Sequence, residues 1–264
     1  MSKKKVLLYK LILTALFTAL TFGLTFINIP IPLGGIIHLG NFIAILAALL
    51  TTPLIGGIAG GVGMGLFDLV SGYPPTTTIR SFILKFVVCF LAGLIFKKSK
   101  NFKNTTLVFT LSAYLFLLVG ILTLIPVITN DGHFNFTIDK AYTMSISVLI
   151  PILAFAFAIG LYSLIFIAKK LNDIAKGAII ATTFAIIINV VLEFILRTIL
   201  VGFTSGSFAA SFATAVMKIP SSLITAMITI IFIALIYPPL YIATKNLFIL
   251  NEIKKDKTSE NEIK

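Results

Sequence analysis

Residues 177–202 read GAIIATTFAIIINVVLEFILRTILVG. A run of this length and character is enough to cross a hydrocarbon layer of roughly 30 Å, which takes about 20 helical residues. Yet it carries Asn189, Glu193 and Arg197. An ionisable side chain in lipid is costly unless it faces the protein interior and has a partner or a task. The stretch therefore predicts a spanning helix and a polar interior together. Glu193 and Arg197 are four residues apart, the spacing of an intrahelical pair on one face. A structural pair and a ligand-contacting pair both stay open.

The rest of the 264 residues repeats the pattern. The apolar share is 58%, the charged share 11% and the mean hydropathy +1.10. A soluble chain of this size needs far more polar surface to cover its core. Strand-type alternation is absent, so helices and not a barrel are expected to satisfy the backbone in lipid. The expectation is an all-α membrane protein, a polytopic bundle of about eight spans. The spans fall near residues 6–27, 41–52, 58–71, 79–96, 105–129, 142–168, 177–202 and 212–244. Residues 28–40, 72–78, 130–140 and 203–211 read as outer loops. Pro53, Gly56 and Gly57 read as the turn between the short second and third spans, which also fit a hairpin dipping in from outside. The last span holds Pro220, Pro238 and Pro239 and is expected to tilt, kink or re-enter. Residues 1–250 form one transmembrane domain, and 251–264 a charged tail.

The net charge of +12 would suggest nucleic acid in a soluble protein. Here most of the basic residues sit in four clusters, around Lys3–Lys10, Lys97–Lys103, Lys169–Lys176 and Lys245–Lys264. Each cluster ends an apolar stretch, and successive clusters are two spans apart. That is the positive-inside pattern for a bacterial inner-membrane protein with both termini in the cytoplasm. Lipid, not nucleic acid, is the expected environment. The basic start followed by an apolar run lacks a small-residue cleavage site and reads as a first span. Cys89 stands alone in an apolar stretch, so no disulfide framework is expected.

Two of the nine acids lie in spans, Asp68 and Glu193; the bases at similar depth are Arg80, Lys85, Arg197 and Lys218. His38, Asn41, Asn189, Ser221 and Ser222 join them on the outer half of the expected topology. Such a gathering predicts an outward-facing pocket. Asp68 and Lys85 end and begin neighbouring helices, which favours a structural ion pair. Lys218 also fits snorkelling to outer headgroups, His38 loop hydrogen bonding, and Tyr73 an interfacial belt. Asp131 and His133 read as solvated loop residues.

Motifs for chemistry are missing. There is no nucleotide phosphate loop, HExxH, CxxC or GxSxG elbow. No catalytic centre, cofactor or metal site is expected.

Several segments in order carry a resemblance. They are Ala15-x-x-x-Ala19, then Gly35-Ile36-Ile37-His38-Leu39-Gly40-Asn41, the glycine-rich run 56–65, and Asp68-Leu69-Val70-Ser71-Gly72-Tyr73. Pro75, Thr78 and Lys85 follow. Together these resemble the substrate-binding S components of energy-coupling factor (ECF) vitamin transporters, in the riboflavin, hydroxymethylpyrimidine and pyridoxine-like branch. The resemblance covers residues 6–97 and resumes over 177–245. It implies a six-helix core, with residues 105–170 as an inserted helical pair. It implies an outer pocket for a small water-soluble vitamin or precursor, with His38, Asn41, Tyr73, Arg80, Asn189, Glu193 and Lys218 as contacts. It also implies partners: two cytosolic ATPases and a membrane coupling subunit that docks against Ala15 and Ala19. Three alternatives stay open: a stand-alone secondary transporter, a membrane-embedded enzyme and a purely structural assembly subunit.

Overall fold

The computed structural model describes residues 3–31, 35–99, 105–129, 133–139, 142–170 and 173–246. Asp131 and the tail 251–264 lie outside them. The described residues build an all-α polytopic membrane protein with two small hairpins. In chain order the elements are α1 (Lys3–Thr25), β1 (Asn28–Ile31), β2 (Gly35–His38), α2 (Gly40–Leu50), α3 (Pro53–Val70) and α4 (Pro75–Ser99). They continue as α5 (Thr105–Thr129), β3 (His133–Asp139), β4 (Tyr142–Ser147), α6 (Leu149–Lys170), α7 (Asp173–Ser205), α8 (Phe208–Met217) and α9 (Ile219–Thr244).

Among the described residues six helices are long and apolar enough to cross a membrane: α1, α3, α4, α5, α7 and α9. The apolar stretches Gly40–Leu50 of α2 and Ile150–Ser163 of α6 are shorter. The expected eight apolar elements are therefore present; α2, at 11 residues, falls short of a full crossing by length, while α6 runs 22 residues in all.

Helix α3 lies at the centre of the first half because its glycines admit neighbours on two sides. A methyl group on Gly63 would sit 2.8 Å from the Thr21 side chain of α1, and one on Gly60 would sit 2.8 Å from Cys89 Sγ of α4. In lipid such close backbone approach supplies the packing that water would otherwise drive. The main core joins Ile45 and Leu49 of α2 to Leu84 of α4, Phe157 of α6, Ile180 of α7 and Ile233 of α9. Helix α1 stands apart: Leu7, Leu8, Leu11 and Ile12 are each more than half exposed. That is a lipid-facing or partner-facing surface.

Several boundaries differ from the sequence reading. Asn28–Ile31 and Gly35–His38, expected as loop, pair as antiparallel strands, with Asn28 opposite His38 and Ile31 opposite Gly35. His133–Asp139 and Tyr142–Ser147 form a second antiparallel pair, so α6 starts at Leu149 and not near 142. The turn before α3 is Thr51–Thr52, where the Thr52 hydroxyl accepts from Ile55 N at 3.3 Å and Pro53 takes the first helical position. Pro75 likewise opens α4, so 75–78 are helical and the expected outer loop shrinks to its first half. The last span is two helices. Ser207 caps α8 by accepting from Ala210 N, and the chain breaks at Lys218, ahead of Pro220, which has no N–H to continue α8. Most of the expected loop 203–211 is thus helix, with Gly206 turning at φ +71°.

Candidate functional site

The C-terminus of α3 shows how local rules aim side chains. Gly72 takes φ +75°, which only glycine adopts without strain. Its N–H donates to Leu69 O at 3.3 Å, and Tyr73 N–H donates to Asp68 O at 3.0 Å. This closed turn ends α3 and places Asp68 and Tyr73 at one rim. Across from it, α4 brings in Arg80 and Lys85, five and ten residues after its first residue, Pro75. Helix α7 presents Asn189, Glu193 and Arg197 at i, i+4 and i+8, one face of the helix. The break between α8 and α9 delivers Lys218, and β2 delivers His38.

These elements enclose a cavity of about 300 Å³. The contacts that the resemblance implied, His38, Asn41, Tyr73, Arg80, Asn189, Glu193 and Lys218, all line it. So do Asp68, Lys85 and Arg197, which the sequence suggested as structural pairs. The cavity lies at the end of the bundle opposite Lys97 and Lys98, which occupy the last turn of α4.

The expected Asp68–Lys85 ion pair is not formed. The Lys85 ammonium donates instead to Asn189 Oδ1 at 2.8 Å. Helix adjacency brings α3 and α4 together, but rotation about α4 turns Lys85 toward α7. Asp68 Oδ2 is left buried with no hydrogen-bond partner. Glu193 lies 3.8 Å from Arg197 and accepts from Ser222 Oγ at 3.1 Å. The charges of Lys85, Arg197 and Arg80 all bear on its carboxylate. Arg197 Nε and His38 Nδ1 are also buried without partners. Outside the spans, burial and then the Lys85 charge push the His38 imidazole down to about 3, so it is neutral near neutral pH.

The sequence reading missed other lining residues. Thr225 and Thr229 of α9 and Ser81 of α4 also face the cavity. A stripe of Ser221, Ser222, Thr225 and Thr229 along an otherwise apolar helix was the signal available. Met64 and Phe67 give an apolar wall that no sequence feature distinguishes from core. Ala15 and Ala19 do not reach the cavity. They lie exposed on α1.

Residues 5–159 match the family described as ECF-type riboflavin transporter, S component. The chain belongs to that family. That family is one of transporter subunits. The match runs through α5 and into α6; Asn189, Glu193 and Arg197 lie beyond it. One curated relative, from Pyrococcus woesei, is an uncharacterized protein in a gap 3′ region. It is 34% identical over 85 residues, which is 32% of the S component and 56% of that relative. The S component thus spans little more than half the length of the curated relative it matches. No solved structure matches.

Proposed function

We propose that this S component binds a small water-soluble vitamin or precursor in the cavity below α3 and α4, and delivers it for ATP-driven uptake. Two cytosolic ATPases and a membrane coupling subunit supply the energy. The observation that carries this reading is the convergence of polar and ionisable side chains, six of them charged, on one cavity of about 300 Å³. That volume is at the low end for sites that enclose small ligands. Charges kept in a membrane protein interior mark sites of function, because lipid penalises them elsewhere.

The lysine clusters orient the cavity outward, with both termini in the cytoplasm of the cell that carries it. Substrate enters past Tyr73 and the β1–β2 hairpin. The exposed Ala15 and Ala19 offer a flat strip for the coupling subunit, since small residues let helices approach closely. The α5–α6 pair, two helices long, leaves the sidedness of α7 to α9 unchanged.

The experiment is uptake into proteoliposomes of the small molecule that co-purifies with the chain. Accumulation should need the coupling subunit, both ATPases and internal ATP. Accumulation by the chain alone, driven by an ion gradient, would make it a secondary transporter instead.

A further inference from the structure

The cavity is not electrically balanced. Four cationic side chains line it, Arg80, Lys85, Arg197 and Lys218, against the two carboxylates of Asp68 and Glu193. Lys85 is held by Asn189, and Glu193 is engaged by Arg197 and Ser222. Arg80 is different. It is 6% exposed, lines the cavity, and has no hydrogen bond or ion pair with another described residue. Arg197 keeps one foot free as well: its contact with Glu193 is long at 3.8 Å, and its Nε has no partner.

A buried guanidinium with no anion in direct contact is costly, offset here only by the more distant charges of Asp68 and Glu193, and the cost falls when an anion arrives. Snorkelling accounts for a lysine near a mouth such as Lys218, but not for an arginine as buried as Arg80. Guanidinium groups also match the planar fork of a carboxylate or the oxygens of a phosphate, which a neutral ring system does not need. Building on the reading of the cavity as the substrate site, we infer that its ligand carries a negative charge, seated between Arg80 and Arg197. Lys85, Asn189, Glu193 and Ser222 then form the fixed polar floor, and the rest of the ligand lies against Met64 and Phe67. A small carboxylate or phosphate ester is the chemical class that fits.

The test uses the full chain purified in detergent. Small molecules extracted from it are identified by mass spectrometry and passed over an anion exchanger at neutral pH. A retained molecule that rebinds at least about tenfold more weakly to Arg80→Gln supports the inference. A neutral or cationic molecule, or one whose affinity survives Arg80→Gln, overturns it while leaving the binding-subunit reading intact. Protein recovered empty is melted in sodium phosphate and in sodium chloride at equal ionic strength. The wild type should gain from phosphate where Arg80→Gln and Arg197→Gln do not; an equal response in all three overturns the inference. Ligand-free melting separates binding from scaffolding. Arg80→Gln should melt no lower than wild type, because the repulsion it relieves on Lys85, Arg197 and Lys218 offsets the attraction to Asp68 and Glu193 that it loses. A marked drop rescued by Arg80→Lys would assign Arg80 to the structure and overturn the inference.

Discussion

Lys85 is 9% exposed and gives its ammonium to a neutral amide, Asn189 Oδ1, where neighbouring helix ends had pointed to Asp68. The difference is instructive. That charges sit inside spans is legible from composition and spacing, because lipid makes each one conspicuous. Which of them meet is not, because it depends on the rotation of each helix about its axis, and Asn189 lies 104 residues away. Asn189→Leu leaves the ammonium without its acceptor and should cost about 1–3 kcal/mol. Replacing both, as Lys85→Met with Asn189→Leu, should recover most of that loss, read as a melting-temperature cycle in detergent. An additive pair of losses would mean that the two side chains do not depend on each other. His38 offers a pH readout. Burial and the Lys85 charge hold its imidazole near 3, well below its ordinary 6.5, so it stays neutral between about pH 5 and 8. Ligand affinity of wild type and His38→Gln should follow parallel pH profiles across that range. A break near 6.5 in wild type alone would show that His38 titrates there.

At the scale of elements, long apolar runs were readable because a span must satisfy its backbone internally. The strand pairing of Asn28–Ile31 with Gly35–His38 was not, since Pro30 and the glycines near it carry the signature of a loop. The break at Lys218 was foreshadowed by Pro220, but its position rests on where α8 is capped, at Ser207. The glycines of α3 were legible as a packing face, and the structure says against what. Gly63→Val forces side-chain atoms into Thr21 and should lower stability by about 1–3 kcal/mol, with Gly63→Ala milder. Thermal melting in detergent checks it; equal melting of both variants and wild type would mean α1 is not seated on α3. On the opposite face of α1, Ala15→Leu with Ala19→Leu should leave melting and ligand affinity unchanged, because both residues are exposed. Partner-dependent uptake should fall about tenfold or more, since bulk at a small-residue contact separates helices. Undiminished uptake would move the docking surface elsewhere.

For the whole molecule, the two ends of the bundle differ in kind. One carries the lysines of the α4 terminus, Lys97 and Lys98, and the other opens the polar cavity. In a Cys89→Ala background, Tyr73→Cys should react with a membrane-impermeant thiol reagent on intact cells, and Lys98→Cys only after permeabilisation. The reverse pattern would turn the cavity inward. The substrate-binding claim itself is tested most directly by titrating the co-purifying small molecule back onto the emptied protein. The wild type should bind one molecule per chain. The triple variant His38→Ala, Glu193→Ala, Lys218→Ala should lose at least about a hundredfold in affinity, as expected when hydrogen bonds to charged groups are removed together. Unchanged affinity in the triple variant would place the ligand outside this cavity and contradict the account.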